Sequence, residues 1–98
     1  MTYSLVVRPE AERDMSEAYQ WYEEQRGGLG EDFLLCVEVA LGSIQESPQR
    51  YPVVYEDVRR ILVRRFPYGI FYCVQESTVS VLAVFHCSRH PRGWQDRR

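Results

Sequence analysis

Residues 68–86, YGIFYCVQESTVSVLAVFH, decide the architecture. Aromatic and β-branched side chains fill Tyr68–Gln75 and Thr78–His86, and only Glu76–Ser77 separates the two runs. Such runs read as two strands joined by a tight turn. TVSVLAVF is apolar on both faces after its start, as an interior strand is. Upstream, VRRILVRR (Val58–Arg65) reads as a third strand. Pro67 stands at the start of the Tyr68 strand, where a missing amide costs little. Gly69 suits close approach of a neighbouring backbone. Residues 48–57, PQRYPVVYED, carry two prolines and read as a loop.

The N-terminal half follows another period. YSLVV (residues 3–7) is a short strand. Pro9 then stands where a helix begins, and Glu10, Glu12 and Asp14 complement the positive end of its dipole. Ala11, Met15, Ala18 and Tyr22 mark one helical face. Gly27–Gly28 stop that helix near Gln25 or Arg26. Gly30 can cap a second helix, charged in its first turn by Glu31 and Asp32. Phe33, Val37, Ala40 and Ile44 form its stripe, widened by Leu34 and Leu41, and Ser47–Pro48 ends it. Both stripes read as core. The expected fold is α+β in the order β-α-α-β-β-β. An N-terminal helical hairpin packs on one face of a small, mainly antiparallel sheet. The first strand lies at an edge or beside the last strand.

Residues 1–98 form a single domain. No apolar run nears the roughly 20 residues needed to span a bilayer, and MTYSLVVRPE has no signal-peptide pattern. The expected location is cytoplasmic. Cys36, Cys73 and Cys87 show no CxxC spacing and read as reduced thiols. His86, Cys87 and His90 in HCSRH lack the paired spacing of structural zinc sites, so no metal or other cofactor is expected. Net charge is −2, but residues 1–57 hold 12 acids and four arginines, whereas residues 58–98 hold eight arginines and two acids. The chain has no lysine.

DMSEAYQWYEEQRGGLGEDF, SPQRYP, RRFPYGIFY and VFHCSRHPRGWQDR, in this order, resemble the RelE/ParE superfamily of toxins from type II toxin–antitoxin modules, often labelled plasmid-stabilisation proteins. The resemblance covers nearly the whole chain. It implies a toxin neutralised by a cognate antitoxin protein, with no small-molecule substrate and no membrane partner. One branch cleaves messenger RNA on the ribosome. The other, ParE-like, inhibits DNA gyrase without known nucleolytic activity.

The ribonuclease branch needs a base, an acid and cations. Matched to its pattern, Gly69 stands where the strand arginine belongs, and only Arg60 of the preceding basic pair is present, the other position being Leu62. The next arginine position falls near Cys87, within reach of His86 or Arg89. No tyrosine follows Tyr72, and Trp94 is the nearest aromatic. A rebuilt, metal-independent endoribonuclease would rest on Arg60, His86, Arg89 and His90. The emptied set favours the ParE-like branch, or an inert member that only binds antitoxin. The binding reading assigns Arg59, Arg60, Arg64, Arg65, Arg89, Arg92 and Trp94 to a partner surface, with Arg97 and Arg98 alongside. Arginine forks suit carboxylate and phosphate. The strand pattern puts Arg60 and Arg64 on one face and Arg59 and Arg65 on the other. The tail from Cys87 reads as polar and only partly ordered.

Overall fold

The two runs flanking Glu76–Ser77 are two of the three interior strands of a five-stranded sheet. The computed structural model describes residues 3–98. Its elements are β1 (Ser4–Val7), α1 (Pro9–Gln25), α2 (Leu29–Glu46), β2 (Val53–Tyr55), β3 (Val58–Leu62), β4 (Tyr68–Gln75), β5 (Thr78–His86) and α3 (Arg92–Gln95), with a 3-10 turn at Pro48–Arg50. The sheet order is β1-β5-β4-β3-β2. β1 runs parallel to β5, and the other pairs are antiparallel. β1 is therefore both an edge strand and the neighbour of the last strand.

The helical hairpin covers one face. Ala11, Ala18 and Tyr22 of α1 and Phe33, Val37, Ala40 and Ile44 of α2 pack on Ile61, Ile70, Tyr72, Val79, Val81 and Val84. The joint is tight for a steric reason. A Cβ on buried Gly30 would lie 2.7 Å from the Tyr19 carbonyl oxygen, so glycine lets the two helices meet. α2 begins one residue before Gly30. Its cap is Gly28, at φ +93°. Glu23 reaches across from α1 to accept the N–H groups of Gly28 (2.9 Å) and Gly30 (2.8 Å).

The opposite face has its own core: Val58, Phe71, Cys73, Leu82, Ala83, Phe85 and Trp94. A bulge helps to build it. Phe71 pairs with Ala83 and Tyr72 with Val81, leaving Leu82 as the extra residue. The tail is not loose. It turns into α3 and lies on this face, where the Trp94 ring stacks on Phe71 at 4.2 Å and 17°.

Two further differences concern the arginine strand. β3 ends at Leu62, because Phe66 turns into the helical core beside Tyr22 (4.9 Å) and Phe33 (5.4 Å), with Arg65 at φ +71° in the bend. Val53–Tyr55, read as loop, forms a short edge strand that pairs with β3 at Arg59 and Val58.

Tyr72 ties the sheet to the loop after α2. Its side chain is fully buried and its hydroxyl donates to the Pro48 carbonyl at 2.5 Å. Burial pushes this hydroxyl up to about 12, against a smaller opposing pull from Arg59. A group raised in the folded state keeps its full stabilising effect below its unfolded value and loses it as pH rises. Stability should therefore decline as pH climbs from 10 towards 12. Tyr72→Phe should lose about 1–3 kcal/mol at neutral pH, since the Pro48 carbonyl is left unpaired, and should show a shallower alkaline decline. Denaturant titrations at several pH values check both.

Candidate functional site

The eight arginines of the C-terminal half meet different fates. Arg97 forms a bidentate pair with buried Asp14, at 2.6 and 3.2 Å, and also donates to the Leu82 carbonyl at 3.1 Å. Arg98 pairs with Asp57 through Nε and Nη2 and holds that carboxyl below its usual range. Arg59 donates to the carbonyls of Gln49 (3.1 Å) and Tyr51 (2.6 Å). Arg65 lies 3.8 Å from Asp32 at the surface. Among the described residues, Arg60, Arg64, Arg89 and Arg92 have no carboxylate within ion-pair reach.

These placements correct the expected surface. Trp94 is 5% exposed and stacked in the second core, so it cannot offer its ring to a partner. Arg97 and Arg98 are committed to carboxylates, and Arg59 to loop carbonyls. Arg64 and Arg65 belong to the bend after β3 and not to the strand.

Arg60 and Arg89 come together. With Gly69, Phe71, His86, Cys87, Pro91 and Trp94 they line a cleft of about 190 Å³ at the end of β5. Gly69 makes room for a side chain there, not for the backbone foreseen from the sequence. A Cβ on it would lie 3.2 Å from Arg60 Cδ and 3.3 Å from Cγ. The Arg60 stem therefore lies flat over the sheet, and its Nε is buried without a hydrogen-bond partner. The Arg89 guanidinium sits over the Phe85 ring at 3.9 Å.

The histidines are engaged locally. His86 Nδ1 accepts the Ser88 backbone N–H at 3.0 Å, and His90 Nδ1 accepts that of Arg92 at 3.1 Å. A backbone N–H only donates, so each neutral ring carries its hydrogen on Nε2. No carboxylate or phenol lines the cleft. It offers cations and donors to an anion, and beyond the two arginines and His86 its one ionisable side chain is the Cys87 thiol. Among the described residues, no three His, Cys, Asp or Glu side chains stand together as a metal site.

A second hollow, of about 540 Å³, runs between α2 and β3. Leu35 (59% exposed), Val39 (64%) and Leu62 (55%) line it, with Arg64, Arg65 and Asp32 at its rim. The sequence pattern assigns only the Phe33–Ile44 stripe of α2, to the core, and leaves Leu35 and Val39 without a role. Leu35 and Val39 are four apart and form a second apolar stripe, which was the available signal. β2 accompanies β3 only as far as Arg60, whose N–H donates to the Pro52 carbonyl. Beyond it, among the described residues, the outer edge of β3 carries no strand.

Comparison with known proteins places this geometry. The sequence profile of the family described as "ParE toxin of type II toxin-antitoxin system, parDE" matches residues 5–91. No curated protein is matched by sequence. A chain from the chromosomal ParDE toxin–antitoxin system of P. aeruginosa superposes with a TM-score of 0.78 at 17% identity, covering 87% of this chain and 96% of that one. A mutant of the E. coli toxin RelE in the free state gives 0.68 at 19% identity, covering 99% and 94%. A chain of the toxin–antitoxin complex RelBE2 from Mycobacterium tuberculosis gives 0.61 at 23% identity, covering 88% and 99%. At these identities the structures share the fold. No helix among the described residues is long and apolar enough to cross a membrane.

Proposed function

The chain belongs to the ParE toxin family of type II toxin–antitoxin systems, and we propose that it acts by binding, with DNA gyrase as target and a cognate antitoxin as its keeper. One observation carries the choice of binding over chemistry. The Arg60–Arg89 cleft presents cations, but the Nδ1 lone pairs of His86 and His90 are occupied by backbone N–H groups. A general base must have a free acceptor within reach of the proton it takes. Arginine cannot serve, because it keeps its proton.

The antitoxin's place in this reading is the α2–β3 hollow. Its walls are apolar, its rim carries Arg64 and Arg65, and the adjoining edge of β3 is open. An amphipathic segment with acidic flanks would bury Leu35, Val39 and Leu62 and meet the two guanidinium groups. Location with gyrase in the cytoplasm follows from the same reading.

The ribonuclease reading has one observation in its favour: Arg60, His86 and Arg89, three of the four residues it needs, line one cleft. The two readings part in a direct assay. Purified protein should inhibit gyrase supercoiling and leave ribosome-bound messenger RNA intact. The variant His90→Gln, outside the lining of that cleft, should inhibit as well as the parent. Brief induction in cells should give DNA-damage signalling and elongation. Codon-phased cleavage of messages with rapid arrest of translation would establish the ribonuclease instead. A chain that binds antitoxin but affects neither process would be an inert member.

A further inference from the structure

We infer that the cleft of Arg60 and Arg89 is a receptor for one carboxylate side chain of a protein partner, with Arg60 Nε as its deepest donor. The inference rests on the binding reading above and specifies what that binding recognises.

The starting point is an unpaired donor. Arg60 Nε is buried and bonds to nothing among the described residues. A buried donor without a partner costs about 1–3 kcal/mol, more when charged. Such a group calls for an explanation, and an anion that arrives from outside is one. The sequence preserves the arrangement. Arg60 faces Phe71 across the β3–β4 pair, and Gly69 lets its stem lie against the sheet. Nε and one terminal nitrogen of a guanidinium form a planar fork that matches a two-oxygen acceptor. Arg89 brings a second guanidinium to the same cleft, positioned on the Phe85 face. Among the described residues no acidic side chain lines the cleft, so neither charge has an internal counterion there.

The surroundings favour a protein carboxylate over nucleic acid. The cleft measures about 190 Å³ and is walled by Pro91 and Trp94, which suits one inserted side chain. Single-stranded RNA is held by exposed aromatic faces along a track of cations. Here the lining rings Phe71 and Trp94 are 6% and 5% exposed and stack on each other. Arg97 and Arg98, which would extend a track, are spent on Asp14 and Asp57.

The test uses the full chain and two probes, acetate and an oligouridine RNA, followed through the Arg60 Nε–H resonance. Acetate should move that resonance saturably, and Arg60→Lys, which keeps the charge but loses the fork, should weaken gyrase inhibition at least about tenfold. Oligouridine should not move it at moderate salt. Two results overturn the inference: no response to acetate, or a response to RNA alone with steep salt dependence. Full inhibition by Arg60→Lys also refutes it while leaving the gyrase reading standing. A parent chain with no effect on gyrase refutes that reading instead, and the acetate titration still decides the nature of the cleft.

Discussion

Asp14→Asn should lower stability by about 3 kcal/mol, the lower end of the loss expected when one partner of a buried ion pair is removed. That corresponds to a fall in Tm of roughly 12–24 °C for a domain of this size. Asp14 is 7% exposed, and its carboxylate does two jobs. It accepts the Val84 N–H at 3.0 Å and both terminal nitrogens of Arg97. These bonds stand where the sheet runs out of strand. β1 pairs with β5 only through Val81, and the Arg8 N–H makes its last backbone bond, to the Val81 carbonyl. Past that point Asp14 receives the β5 N–H and Arg97 supplies a donor to the Leu82 carbonyl. An ion pair from α1 and the tail thus continues the ladder. Asparagine can still accept from Val84, but it leaves the Arg97 charge, 19% exposed, without a counterion. The lower figure is chosen because that residual exposure admits some water. Beside Asp14→Asn, calorimetry on Asp14→Leu, Arg97→Met and the pair Asp14→Leu/Arg97→Met completes a double-mutant cycle. The double variant should recover part of the loss but not all. Apolar replacements remove the charges, yet leave the Val84 N–H and Leu82 carbonyl unpaired. Additive single and double effects would show that the two residues do not act together.

Trp94→Ala should cost about 3–5 kcal/mol if the tail stays docked, as for other large buried aromatics. The loss has a ceiling, because α3 is a four-residue helix that can release from the sheet while the rest stays folded. The tail holds through the stack of Trp94 on Phe71, its edge contact with Tyr55 at 5.8 Å, and Gly93 pressed against Phe85. A Cβ on Gly93 would lie 2.7 Å from that ring, so the tail fits only with glycine there. Once undocked, Phe71 and Phe85 face water, and the cleft loses Pro91 and Trp94 as its wall. Two measurements separate destabilisation from release. Hydrogen exchange in β4 and β5 reports global stability, whereas tryptic cleavage after Arg92 and Arg97 reports the tail. Reduced inhibition by Trp94→Ala would then reflect a dismantled cleft, not a lost contact with the target. Unchanged Tm and unchanged proteolysis would contradict the packing described for this ring.

Much of the fold could be read from residue pattern. The two apolar runs around Glu76–Ser77 became β4 and β5 with the expected limits, because few other structures suit such sequences. The helices followed their stripes, and α1 ended at Gln25 before the paired glycines. The tail was misread because only Trp94 marks it as apolar among polar neighbours. A clue was present all the same. TVSVLAVF is apolar on both faces and the hairpin covers one, so something else had to cover the other. The arginine surface was only half legible. Which guanidinium finds a carboxylate depends on contacts such as Asp14 to Arg97, 83 residues apart, and no local pattern encodes them. Arg60 and Arg89 meet for the same reason, through the β3–β4–β5 pairing.

The parallel pairing of the first strand with the last also sets a schedule for biosynthesis. The N-terminal strand has nowhere to dock until residues 78–81 have been made. Pro91 and Trp94, which wall the cleft, come later still in the chain. Long-range closure of this kind is slow compared with local helix formation. A nascent chain therefore lacks both its parallel strand pair and its cleft until the segment through Trp94 has emerged and folded back on the sheet.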